Sequence, residues 1–145
     1  AALLLAACQP APSARATGPV ATPAPQLPDD IVRGLQTDAR VLECPQGLQQ
    51  GRSAFAADWV RSRRVDLDAD GREDWLVEGV HPCLRRDGLA DWWIYAEGDG
   101  GRRLIGHVRG ARSLEVLPAS GPGHAGLRVR TAEGERILRY RGDSY

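Results

Sequence analysis

The stretch Val65 to Val77, "VDLDADGREDWLV", decides how the middle of this chain folds. Four aspartates alternate with other residues around Gly71, and an apolar run follows directly. The aspartates are Asp66, Asp68, Asp70 and Asp74. Like charges this close in sequence repel one another unless a cation lies among them. We therefore predict a metal-holding turn between two β-strands.

The spacing of this loop suits calcium. Counted from Asp66, carboxylates stand at positions one, three, five and nine, and glycine stands at position six. Calcium takes six to eight oxygen ligands, and Gly71 permits the sharp bend that such a loop needs. We predict a structural Ca²⁺ held by four carboxylates and one backbone carbonyl: Asp66, Asp68, Asp70, Asp74 and the carbonyl of Arg72. A solvated turn without metal is the alternative, since Asp and Gly favour turns in any case.

The pattern D-x-D-x-D-G-x-x-D runs straight into a strand and differs from an EF-hand. An EF-hand needs glutamate at position twelve, which here is Val77, and a helix after the loop, where "WLV" indicates a strand. The pattern instead resembles the calcium loop of FG-GAP and VCBS-type repeats. That resemblance covers residues 65–79 and implies the same five ligands in a β-hairpin. Together with a following cysteine, a "WWIY" strand and a "YRGDSY" end, it also resembles small exported proteobacterial proteins, a likeness that implies no activity.

Outside the loop, the hydrophobic pattern has mostly period two, with Gly-rich turns. We predict a mainly β fold for residues 29–145: a small antiparallel domain of six to eight strands with one short helix at "PDDIVRGLQTD". The segments "RRLIGHV" and "SLEVL" read as two strands. Trp92 and Trp93 are neighbours in a strand and point to opposite faces, so we expect at most one in the core. An exposed aromatic platform for sugar or peptide is the alternative use of this pair.

The first residues end an apolar run with "LAAC", which resembles the lipobox of bacterial lipoproteins. The resemblance implies that residues 1–8 are the end of a signal peptide with acyl chains, such as palmitate, on Cys8. Residues 9–28 are rich in proline and alanine and form a predicted disordered tether. Gln9 after the cysteine favours the outer membrane, with the domain facing the periplasm or the cell surface. A plain secretory signal with a chance cysteine is the alternative.

Two further cysteines, Cys44 and Cys83, lie in the predicted domain. An exported protein meets an oxidising compartment, where two such thiols pair. We predict a Cys44–Cys83 disulfide. The alternatives are two free buried cysteines or a zinc site that adds His81 and His107, although "HPC" is not a zinc-finger spacing.

Charge and motifs limit the function. Nineteen basic and nineteen acidic residues balance, so no global field favours nucleic acid as a partner. Ser120 and His124 could join an acid as a catalytic triad, but no nucleophile elbow surrounds the serine. We expect a non-catalytic, lipid-anchored binding or structural module of the cell envelope, with the membrane and an envelope protein or glycan as partners. An inhibitor of an envelope-attacking hydrolase such as lysozyme is the alternative.

Overall fold

The computed structural model describes residues 26–145, so the segment ending at Cys8 and the tether as far as residue 25 lie outside the described residues. Two helices precede the strands, and one turn of 3-10 helix at Ala57–Trp59 leads into the main sheet. The helices are α1 (Asp29–Gln36) and α2 (Ala39–Leu42). The strands are β1 (Leu48–Gln49), β2 (Arg52–Ser53), β3 (Val60–Val65), β4 (Asp74–Gly79), β5 (Arg85–Arg86), β6 (Leu89–Gly98), β7 (Gly101–Val116), β8 (Leu127–Thr131) and β9 (Glu135–Leu138).

All strand pairs in the described domain are antiparallel. Strands β1 and β2 form a small separate sheet, and the other seven form one sheet in the order β3-β4-β6-β7-β8-β9, with β5 beside β6. The predicted mainly β, antiparallel fold with a short N-terminal helix is confirmed. The helix α2 is an addition to that prediction, and three of the nine strands are only two residues long.

The central strands β4 and β6 are covered on both faces. Every residue of β4 is buried. On one face, α1 and α2 bring Ile31, Leu35 and Val41 against Trp75 and Trp93. On the other face, side chains of β4 and β6 pack against those of the last three strands, and this second cluster includes Leu76, Ile94, Ile105, Leu114, Leu127 and Val129.

The prediction that at most one of Trp92 and Trp93 belongs to the core is wrong. Trp92 is 7% exposed and Trp93 is fully buried. The two rings do point to opposite faces, but each face has its own cover, so each ring joins a different hydrophobic cluster. The pair therefore does not form an exposed aromatic platform.

The prediction of two separate strands at "RRLIGHV" and "SLEVL" is also wrong, because both belong to the sixteen-residue strand β7. The first part of β7 pairs with β6 and the second part with β8. The change of partner coincides with Gly110, whose φ of 64° favours glycine, and with a register shift between Ala111 and Ser113. Beyond this register shift, side chains of β8 pack in the second cluster with those of the central strands.

The predicted disulfide between Cys44 and Cys83 is confirmed, with Cα atoms 5.7 Å apart. It joins the end of α2 to the connection between β4 and β5, across 39 residues of sequence. In the chain-entropy description, such a cross-link stabilises the folded state by about 4 kcal/mol. Among residues 26–145, no helix is long and apolar enough to cross a lipid bilayer.

Candidate metal centre

The acidic loop joins β3 and β4, and the pairing of these two strands sets the positions of both ends of the loop. Val65, the last residue of β3, pairs with Asp74, the first residue of β4. Residues 66–73 therefore form the connecting loop of a hairpin, as the sequence predicts. We call residues 66–74 the acidic turn.

Asp74 holds the acidic turn to the sheet. The residue is 3% exposed, and its carboxylate accepts hydrogen bonds from two backbone amides, that of Leu67 at 2.9 Å and that of Glu97 at 2.8 Å. Glu97 lies on β6, so Asp74 links the loop to the neighbouring part of the sheet. The aspartate thus has a clear structural role as well as a place among the candidate ligands.

The other loop carboxylates are oriented by local backbone amides. The N–H of Gly71 donates to Asp66 Oδ2 at 2.9 Å, and the N–H of Asp70 donates to Asp68 Oδ1 at 3.1 Å. Ala69 and Gly71 both have positive φ, 60° and 86°. These two left-handed residues turn the chain tightly enough to bring alternate side chains to one side of the loop.

Three of the predicted ligands meet. One carboxylate oxygen from each of Asp66, Asp68 and Asp74 lies within 4.8 Å of the others, a group that could hold a metal ion. Asp70 instead lies against Arg72, which donates to it from the backbone N–H and from Nε, both at 2.8 Å. The guanidinium of Arg72 also pairs with Asp99 at 2.6 Å. Asp70 and the Arg72 carbonyl therefore stay predictions as ligands.

The electrostatics of the three grouped carboxylates favour a cation. Burial raises the pKa of Asp74, the amides of Glu97 and Leu67 lower that pKa, the charge of Asp68 raises it, and His124 lowers it. Within residues 26–145, no arginine forms an ion pair with Asp66, Asp68 or Asp74, although arginines pair with many other acids of the domain. A divalent cation would supply the missing positive charge.

His124 is a neighbour of this group that the sequence does not reveal. Its Nε2 lies 3.9 Å from Asp68 Oδ2, and its ring stacks on Tyr140 at 3.8 Å between ring centres. Tyr145 fixes this region by donating from its hydroxyl to the carbonyl of Ala125 at 2.7 Å. His124 thus lies against Asp68 and an aromatic ring. It lies more than fifty residues beyond the loop, so spacing gives no signal of the contact.

A second group of metal-binding residue types occurs at Cys44, His81 and Cys83. The two sulfurs form the disulfide, so neither is a thiolate ligand. His81 stacks on Trp59, and His107 stacks on Trp93, where burial lowers the pKa of its imidazole. These contacts give both histidines packing roles in the first hydrophobic cluster, and the zinc alternative is not supported.

Comparison of the chain with models of protein families, with curated proteins and with solved structures finds no match.

Proposed function

We propose that this protein is an exported, lipid-anchored module of the cell envelope whose β domain is stabilised by one calcium ion in the acidic turn. The observation that carries the calcium part of the proposal is the meeting of three carboxylates, from Asp66, Asp68 and Asp74, without an arginine partner in the described domain. Calcium fits this donor set because it is a hard cation that prefers carboxylate oxygens.

The role of the ion is structural in this proposal. Asp74 lies at the start of β4 and bonds to an amide of β6, so an ion on Asp74 and the loop aspartates would tie the hairpin to the sheet. No catalytic step is assigned to the ion. The buried position of Asp74 leaves Asp66 and Asp68 as the half-exposed groups through which an ion could enter.

Export is supported by the disulfide, since such bonds persist in oxidising compartments. Anchoring depends on Cys8, which lies outside the described residues. Acyl chains on Cys8 would attach the domain to a membrane by way of the tether at residues 9–28. Inhibition of an envelope-attacking hydrolase stays a prediction, and no described loop is singled out for it.

Thermal unfolding tests the calcium part of the proposal. With a dissociation constant of about 10⁻⁴ to 10⁻³ M, 10 mM calcium would stabilise the folded state by about 1.4 to 2.7 kcal/mol. For a domain of this size the melting temperature would rise by roughly 5 to 10 °C relative to chelator. Magnesium at the same concentration is the control for ionic strength. Equal melting temperatures in chelator, magnesium and calcium would remove calcium from the account.

Lipid attachment has its own test. In a Gram-negative bacterium supplied with labelled palmitate, the protein should carry the label and enter the detergent phase on phase separation. The Cys8→Ser variant should lose both properties because it lacks the acylated thiol. An unlabelled wild-type protein that stays in the aqueous phase would show that the chain is not a lipoprotein.

A further inference from the structure

The face of the domain covered by the last strands contains an open cavity, of about 540 Å³. It lies between β3, on one side, and the second half of β7, on the other. Its apolar lining comes from Leu76, Trp92 and Leu114, which are all buried members of the second hydrophobic cluster. A cavity of this size suits a small organic molecule.

The polar lining of this cavity is rich in arginine, with Arg61, Arg63, Arg85 and Arg112 among its residues. We call it the arginine cavity. Its four guanidinium groups come from three different strands, β3, β5 and β7. Guanidinium groups are planar donors that suit carboxylate, sulfonate and phosphate groups.

The two acids in the lining are already neutralised. Glu78 is 7% exposed and is held by two arginines, Arg61 at 2.6 Å and Arg85 at 2.7 Å. Glu115 pairs with Arg128, which lies outside the cavity, at 3.1 Å. Arg128 also pairs with Glu135, which has a second arginine partner in Arg130. Neither carboxylate is therefore left to compensate the remaining guanidinium groups or to repel an anion strongly.

Positive charge remains on this lining. Two arginines share the single charge of Glu78, which leaves one positive charge there. Arg63 donates to the carbonyl of Leu114 at 2.6 Å, a contact that does not neutralise it. Arg112 is exposed and, within residues 26–145, its side chain has neither an ion pair nor a hydrogen bond. The chain has no net charge, so this concentration of positive charge is local. Positive charge beside the apolar lining of the cavity indicates a site for an anion.

We propose that the arginine cavity binds a small organic anion, with the acidic group at Arg63 and Arg112 and an apolar body over Leu76, Trp92 and Leu114. This inference deepens the binding role in the proposed function by naming a ligand class, but it requires neither the calcium ion nor the lipid anchor. Arg63 and Arg112 are exposed, so the apolar contact of the ligand body would add to a guanidinium–acid attraction that solvent screens.

Two fluorescent probes with the same aromatic skeleton test this proposal. One is 1-anilino-8-naphthalenesulfonate, and the other is N-phenyl-1-naphthylamine, which lacks the sulfonate. The folded protein should bind the sulfonate with one site and a dissociation constant in the micromolar range, and should bind the neutral probe at least tenfold more weakly. Inorganic phosphate should compete only at much higher concentration because it lacks the apolar body.

Variants locate the site. Arg112→Gln should weaken sulfonate binding roughly fivefold, since its guanidinium has no structural contact to lose. Arg63→Gln combined with Arg112→Gln should weaken it at least twentyfold and leave the neutral probe unaffected. The matched control is Arg33→Gln combined with Arg141→Gln, which removes two exposed arginines outside the cavity and should leave binding unchanged.

Three results would overturn the proposal: equal affinity for the two probes, no change in Arg112→Gln, or an equal loss in the control variant. Titrations are done in calcium and in chelator, with a melting curve for each variant. If calcium raises the melting temperature but the sulfonate does not bind, the cavity inference fails and the proposed calcium site stands. If the sulfonate binds but calcium does not change the melting temperature, the proposed calcium site fails and the cavity inference stands.

Discussion

Two regions of this domain carry unbalanced charge of opposite sign. The acidic turn gathers Asp66, Asp68 and Asp74 without an arginine partner in the described domain. The arginine cavity gathers guanidinium groups, of which Arg112 has no partner there. The chain as a whole is neutral, so neither region is visible in its net charge.

The two regions differ in how the sequence builds them. The carboxylates of the acidic turn come from nine consecutive residues, and the turn itself forces them together. The arginines of the cavity come from β3, β5 and β7, and only the tertiary arrangement of these strands brings them to one place. A local cluster can be found from spacing, whereas a cluster built by topology requires the structure.

The largest expected loss of stability comes from substitution of Asp74, at the buried end of the acidic turn. Asp74→Ala removes the acceptor of two backbone amides, those of Leu67 and Glu97. The Leu67 amide is buried and the Glu97 amide is partly buried. Leaving a buried donor unbonded costs about 1–3 kcal/mol, so we expect a total loss of about 3 kcal/mol in chelator, and the stabilisation by calcium should vanish. Denaturant unfolding with and without calcium measures both.

Asp74→Asn is the matched variant, because its side-chain oxygen keeps one acceptor. It should lose about half as much stability in chelator and should also lose the calcium effect. If both variants unfold like the wild type in chelator, Asp74 does not hold the turn to the sheet as described.

The next largest effect comes from changing the charge balance of the arginine cavity at Glu78. Glu78→Gln removes the charge that Arg61 and Arg85 share. The arginines are partly exposed, so we expect a loss of about 1.5 kcal/mol, less than for a fully buried ion pair. The cavity gains one uncompensated positive charge, so binding of the anilinonaphthalene sulfonate should tighten roughly threefold. Weaker binding in a folded Glu78→Gln variant would contradict the charge assignment.

The smallest effect concerns the backbone of the acidic turn. Gly71 has φ of 86°, and a Cβ placed there meets nothing within 4 Å. In Gly71→Ala the strain of the left-handed backbone should therefore lower stability by about 1 kcal/mol. Calcium binding should weaken because relief of that strain moves the backbone N–H that orients Asp66.

Gly100→Ala is the control for this change. A Cβ at Gly100 also meets nothing within 4 Å, and its backbone lacks a positive φ. Its unfolding free energy should match that of the wild type. An equal loss of unfolding free energy in Gly71→Ala and Gly100→Ala would show that the left-handed backbone of Gly71 does not account for the cost of its substitution.

Much of the fold follows from local patterns. Period two and Gly-rich turns predict the antiparallel domain, and the cysteine pair predicts the disulfide, as the structure confirms. One error, the division of β7 into two strands, comes from its change of partner at a register shift. The other comes from burial by elements that are distant in sequence. Trp92 and Trp93 are both buried because helices pack on one face of the central strands and β7–β9 pack on the other. The sequence of the strand itself does not indicate either packing partner.

The candidate site is predictable to a similar extent. The pattern identifies the hairpin loop and the group of Asp66, Asp68 and Asp74. It does not predict that Asp70 lies against Arg72, because the choice between an ion and a neighbouring guanidinium depends on side-chain geometry. The approach of His124 depends on the long connection between β7 and β8.

Equilibrium dialysis with radioactive calcium tests the central claim most directly. The wild-type protein should bind one calcium ion per chain with a dissociation constant of about 10⁻⁴ to 10⁻³ M. Asp68→Asn should weaken that binding at least tenfold, while Asp58→Asn, which removes an exposed aspartate from the 3-10 turn, should not change it. Absence of saturable binding by the folded wild type, or equal binding by both variants, would contradict a calcium ion in the acidic turn.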